Sequence, residues 1–266
     1  MEINREVVRQ TFRNYTDAYD SSDEKIRLKI AHTYRVAALC ARIARAEGMS
    51  AEDIELAWLL GMLHDVGRFE QLRRYGTFLD AASIDHANLG ADILFLDGKI
   101  RDYIADTQED ALIEAAIRAH SAYRIPEGLP ERTKRLAHVL RDADKIDILK
   151  VNVDTPMEII YDVTTEELRN AVVSDAVMRS FYEHHATLRE LRKTAVDHAV
   201  GHISLVFELV FAESIRIVKE QGCLERLLNF ESDQPKTAEQ FAAIRQELTH
   251  YLQERTTSEC IQLTER

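Results

Sequence analysis

Histidine and aspartate recur at separated points of the chain: His32, the pair His64-Asp65, His86, His120 and Asp144. Nearly all fall at positions that a helical pattern assigns to the interior. Burying that many ionisable groups is costly unless each is paired or bound to metal. A shared pair of metal ions satisfies all of them at once, so the pattern reads as a metal-dependent enzyme. Imidazole and carboxylate together suit Mn, Fe, Co, Ni or Zn, and Mg less well, so the expected cofactor is one or two such divalent ions. Two ions held ~3.5–4 Å apart acidify a bridging water and clamp both oxygens of an in-line displacement at phosphorus. No protein nucleophile is then required, and the sequence offers no G-x-S-x-G, P-loop or Ser/His/Asp alternative.

Helices must bring these residues together. The first segment, up to about Asp20, carries an apolar stripe of Val7, Val8, Phe12 and Tyr15. Ser21, Ser22 and Asp23 supply N-cap chemistry for a helix from about Glu24 to Glu47, closed by Gly48, with His32 beside its apolar stripe. Ser50 and Asp53 open a third helix whose buried face, Ala57, Leu60 and Leu63, ends at His64-Asp65. Neighbours on a helix point about 100° apart, so His64 and Asp65 can share one ion only near a helix end. Gly67 is expected to relax the backbone there. Arg68 lies three residues from Asp65 and four from His64, hence on the same side, where its guanidinium could fork onto phosphate oxygens.

Further helices are expected over Asp85–Leu96, Gln108–His120 and Thr133–Lys150, with SAYRIPEGLPERT as a loop. Thr155-Pro156 marks a break. The strongest later element is Thr194–Glu220, whose apolar face runs through Ile203, Val206, Phe207, Val210 and Phe211. Glu231–Lys236 reads as a hinge before a terminal helix of about Ala238 to Glu254. No segment sustains strand alternation, so the expected fold is all-α. Residues 1–155 are expected to form the core with its N-terminal helix, and residues 156–266 a helical extension packing on it.

The order H…HD…H…H…D, in the contexts HTYRVA, LLGMLHDVGR, HANLGADIL, AIRAHS and DADKID, resembles the HD superfamily of metal-dependent phosphohydrolases. The resemblance covers roughly residues 25–150 and implies an HD-domain helical bundle. It implies that His32, His64, Asp65 and Asp144 hold a first metal, with Asp65 bridging to a second carried by His86 and His120. Asp65 and Arg68 are the residues expected in catalysis, Arg68 by its place on the same helix side as the HD pair. The implied reaction is hydrolysis of a nucleotide or other small phosphate ester. Two other readings share the scaffold: the mixed-valent di-iron oxygenases, with a similar ligand set, and a non-catalytic regulatory module. Three departures matter. Ser121 stands where cyclic di-GMP phosphodiesterases of the superfamily carry another histidine, and YRIPEGLP replaces their GYP motif. Arg68 replaces a frequent lysine. An insertion-like piece, DGKIRDYIADTQED, is placed to reshape the pocket rim.

Composition narrows the class. The 266 residues are 45% hydrophobic and 30% charged, as in a soluble globular protein, and nine glycines and four prolines favour long helices. A net charge of -12 argues against a nucleic-acid polymer as partner. Arg68, Arg73 and Arg74, with Arg118 and Arg124, are expected to make the site locally cationic for a small phosphorylated substrate. Cys40, Cys223 and Cys260 show no paired spacing, the first residues lack an apolar signal core, and no apolar run spans a bilayer. The expectation is a cytoplasmic protein without membrane association. The oligomeric state is left open. Asp142 is expected to cap or face solvent, Lys145 to form a structural ion pair, His138 to be structural, His184-His185 to lie at the surface, and His198 and His202 to pack or line a pocket.

Overall fold

In the computed structural model, residues 3–156, 160 and 163–264 are described, with side chains described as far as 255. Every regular element among them is helical. No helix among them is long and apolar enough to cross a membrane. The chain forms two compact units, Met1–Asp144 and Lys145–Arg266, and the division falls inside a long helix rather than at a linker.

The first unit is built by capped amphipathic helices. Asn4 accepts from the amides of Glu6 and Val7 and starts α1 (Arg5–Thr16), which buries Val8, Phe12 and Thr16. Asp23 caps α2 (Glu24–Ala46) through the amide of Lys25, and Gly48 follows its end at φ 64°. Ser50 accepts from the Asp53 amide and starts α3 (Ala51–Leu63). Leu56 to Leu63 are all buried, so α3 is a central helix with no solvent face in its second half, beyond the one-sided stripe of the sequence reading.

α2 and α3 form the most extensive helix pairing among the described elements. Their approach is set by Gly61, where an added Cβ would lie 2.5 Å from the Ala37 Cα. The chain breaks at His64-Asp65 and resumes as α4 (Val66–Tyr75), so the pair sits at a helix junction as its spacing demands.

Gly67 serves a different purpose from the expected one. A Cβ there would lie 2.2 Å from the His86 carbonyl oxygen and 2.6 Å from the Gly90 amide nitrogen. Close packing of α5 (His86–Ala91), rather than backbone relaxation, explains the glycine. α5 runs into a π-helical turn at Asp92–Leu96. The insertion-like piece forms a short α6 (Ile100–Tyr103) that buries Ile100 and Tyr103, and Thr11 of α1 donates to the Asp102 carbonyl. α7 (Asp110–Ala119) and α8 (Glu131–Asp154) flank the expected loop.

The second unit holds helices at Thr165–Asn170, Asp175–Phe181, Ala195–Ile203, Ala212–Gln221, Cys223–Leu228 and Pro235–Thr264. Thr164 with Glu167, and Thr194 with Asp197, form capping boxes. The single helix expected over Thr194–Glu220 is instead interrupted by a 3-10 turn at Ser204–Glu208 and an extended step into Ala212. Arg255 donates to the Leu209 and Val210 carbonyls that the break releases, a long-range cap no local pattern reveals. Pro235 opens the last helix at its first position, where a missing N–H costs nothing. Expectations for the residues just after Pro156 fall largely outside the described residues, as does the end of the chain.

Candidate metal centre

His32 points inward from α2, His64 and Asp65 come from the α3–α4 junction, His86 from the first turn of α5, His120 from the end of α7 and Asp144 from α8. The structure brings all six together. The four histidines and Asp65 are each at most 3% exposed, and the Asp144 side chain is 15% exposed.

Backbone and side-chain partners orient the imidazoles. His64 Nδ1 donates to the Gly61 carbonyl at 2.8 Å, His120 Nδ1 to the Ile117 carbonyl at 2.7 Å, and His86 Nδ1 to Asp80 at 2.8 Å. Burial holds all three below the ordinary histidine range, so they are neutral and each Nε2 carries a bare lone pair. His86 Nε2 nevertheless lies 3.1 Å from His120 Nε2, and His64 Nε2 3.3 Å from His32 Nε2.

The carboxylates face the same space. Asp65 Oδ2 is 3.5 Å from His32 Nε2 and 3.6 Å from His64 Nε2, whereas Oδ1 is 3.6 Å from His86 Nε2 and 3.9 Å from His120 Nε2. Asp144 Oδ1 is 3.2 Å from His32 Nε2 and 3.8 Å from His64 Nε2. Two groups, His32/His64/Asp144 and His64/Asp65/His120, have ligand atoms within 4.8 Å of one another. Lone pairs and anionic oxygens converging in a buried site repel one another unless a cation sits between them. The donor set therefore fits divalent metal, and one oxygen of Asp65 faces each histidine pair.

Burial alone would raise the Asp65 carboxyl, but the Lys29 ammonium, with Arg68, outweighs it and holds it well below the usual carboxylate range. Asp144 is likewise lowered against its burial, chiefly by its hydrogen bond with His32. Lys29 Nζ lies 2.7 Å from Asp65 Oδ2. It was missed in the sequence, although it stands one turn before His32 on the same helix.

Asp80 was also missed. It accepts from His86 Nδ1, from Arg68 Nη1 at 2.8 Å and from Gln71 Nε2 at 2.9 Å. Burial pushes its carboxyl up, and His86 and Arg68 reverse that shift. Asp80 opens a three-residue 3-10 turn, too short to carry a period, which left no signal to find. Arg141, one turn before Asp144, is buried and donates to the carbonyls of Ala119, His120 and Ala122, closing the end of α7 beside His120.

The expected arginine cluster is largely elsewhere. Arg73 and Arg74 pair with Glu70, and Arg118 with Asp92 and Glu114. Arg124 is exposed beside Tyr123. Only Arg68 reaches the centre, with Nε 3.7 Å from Asp65 Oδ1. Its Nη1 is committed to Asp80, Gln71 and the Phe78 carbonyl, while Nε is buried without a hydrogen-bond partner.

Asp142 is fully buried rather than solvent-facing, and it has a partner. Lys145 is buried and partnered too. In the second unit His202 Nδ1 donates to Asn152, and burial, with Arg192, pushes its imidazole down to about 3. His184 pairs with Glu247 and stacks on Phe207, more enclosed than the surface site expected, while His185 is exposed. A cavity of about 330 Å³ in the first unit, lined by residues such as Tyr15, Leu94 and Tyr103, includes none of the six ligands.

No curated protein and no solved structure is matched by the chain. Residues 30–149 match the family model of the HD domain, an interval that contains all six converging residues. The helical fold, the split HD junction and this match are consistent with an HD superfamily protein, the HD domain occupying residues 30–149.

Proposed function

We propose that the protein is a metal-dependent phosphohydrolase acting on a nucleotide or another small phosphate ester. HD domains form a superfamily of mostly metal-dependent phosphohydrolases, and this chain's His/Asp cluster could hold metal. His32, His64, Asp65 and Asp144 would hold one ion, and Asp65 with His86 and His120 a second. Bound there, divalent ions supply Lewis acidity towards a phosphoryl oxygen and an acidified water.

The chain's own groups do the rest. Neutral imidazoles with fixed tautomers present lone pairs without competing protons. Asp80 orients His86 and anchors Arg68 at once. The observation that carries the phosphate reading is the Arg68 Nε–H, a buried donor that makes no hydrogen bond and stands 3.7 Å from Asp65 Oδ1. An unpaired buried donor is costly, and a phosphoryl oxygen at that point would satisfy it and gain stabilisation as charge develops. This favours hydrolysis over the di-iron oxygenase reading, which has no evident use for that donor. The complete buried ligand set speaks against a non-catalytic module.

The test is phosphate release from a panel of nucleotides and phosphomonoesters with Mn2+ under strict anaerobiosis, with elemental analysis in parallel. Asp65→Ala is expected to lose the metals and the activity. Arg68→Ala is expected to keep its metals and lose roughly 10²–10³-fold in kcat. Turnover that requires dioxygen, or an unchanged kcat in metal-replete Arg68→Ala, overturns the reading.

A further inference from the structure

We propose that Lys29 is a built-in counter-ion that competes with the divalent ion for Asp65 and holds the affinity of the centre down. The inference rests on the metal reading above and concerns regulation of that same site. Three observations carry it.

Lys29 Nζ lies 2.7 Å from Asp65 Oδ2, within direct hydrogen-bond distance of a proposed ligand atom. That oxygen is the one facing His32 and His64, at 3.5 and 3.6 Å, so the ammonium and a first ion draw on the same donor. The ammonium is also held in place: its side chain is 15% exposed and Nζ lies 5.6 Å from the centroid of the Phe78 ring.

An ammonium placed there neutralises Asp65 when no divalent ion does, which spares the metal-free protein an unpaired buried charge. Once an ion binds Oδ2, the two cations share one oxygen and repel each other in a site of low dielectric. Stabilising one form and opposing the other both lower the affinity. The consequence is a centre that exchanges its ion, with occupancy following the supply of metal rather than saturating at trace levels.

Lys29 is a positioning residue in this account, and thermodynamic linkage gives it a signature that a purely structural lysine lacks. Removing its charge must destabilise the metal-free protein more than the loaded one, by the same factor that tightens binding. A structural lysine would destabilise both forms alike.

The experiment titrates Mn2+ into chelator-treated full-length protein, reads free Mn2+ by its electron-resonance signal, and records melting of both forms. Lys29→Gln keeps a side chain able to donate to Asp65 without charge, and Lys29→Met is the second variant should the first fold poorly. Both are expected to bind Mn2+ at least tenfold more tightly than the wild type, with a larger gap in melting temperature between loaded and metal-free forms. Lys29→Arg is expected to stay within threefold of the wild type. Equal or weaker Mn2+ binding by the neutral variants overturns the role of Lys29 while leaving the metal centre standing. Wild-type protein that binds no Mn2+, or binding that survives Asp65→Ala, overturns both.

Discussion

Gly67→Ala is a one-carbon change that tests how the centre is assembled. The added Cβ would lie 2.2 Å from the His86 carbonyl oxygen, 2.6 Å from the Gly90 nitrogen and 3.0 Å from the Gly90 Cα. All three are backbone atoms of α5, so no side-chain rotation relieves the overlap. Carbon–oxygen contacts close to no nearer than ~3.3 Å, so α5 must retreat by roughly 1 Å. His86 opens that helix and moves with it. Metal–ligand distances tolerate only about 0.2 Å and functional constellations about 0.5 Å, so the His86 contribution is lost. Overpacking costs ~1–3 kcal/mol, against a gain of up to ~1 kcal/mol from replacing glycine in a helix. The expected outcome is a protein less stable by up to roughly 2 kcal/mol in urea, with weaker Mn2+ binding on the His86/His120 side. A variant as stable as the wild type with full metal affinity refutes the packing argument, since helix propensity alone predicts stabilisation.

Asp80→Asn removes the anion that fixes His86 and Arg68, and is expected to weaken Mn2+ binding ~10–100-fold while the fold survives; unchanged affinity would remove Asp80 from the site. Acid should weaken the metal-free protein before the carboxylate range is reached. His64, His86 and His120 are held below their ordinary range by burial, so the unfolded chain takes up protons first, from about pH 6.5 downward. Their contribution is complete above that pH and declines below it. Asp65, Asp80 and Asp144, all lowered, extend the loss below about pH 4. The urea midpoint of chelator-treated protein is expected to be lower at pH 5.5 than at pH 7.5, and an equal or higher midpoint at pH 5.5 contradicts the neutral-imidazole assignment.

What the sequence alone determined is what local chemistry can encode. Asp23 and Ser50 cap the helices they were expected to cap, because a cap bonds to amides two or three residues away. His64 and Asp65 fall at a helix end because adjacent residues on a continuous helix diverge. The costly placement of four histidines and two aspartates at interior positions pointed to one shared centre before any coordinates.

Tertiary structure decided the rest, because the deciding partners are remote in the chain. Lys29 meets Asp65 only when α2 packs on α3, and Gly61 permits that packing through a contact with Ala37. The reason for Gly67 lies in the backbone of His86 and Gly90, which no local rule sees. Arg73, Arg74 and Arg118 matched a phosphate cluster by proximity in sequence, yet nearby Glu70, Asp92 and Glu114 claim them. The apolar run through Phe207 and Phe211 kept a helical period while the helix itself broke, since Arg255 offers the freed carbonyls a partner from far along the chain. Periodicity marks candidates for burial, yet Val210 of this run is 47% exposed because the helix breaks there; the hydrogen-bond partners that orient the buried residues are set by the packing of distant segments.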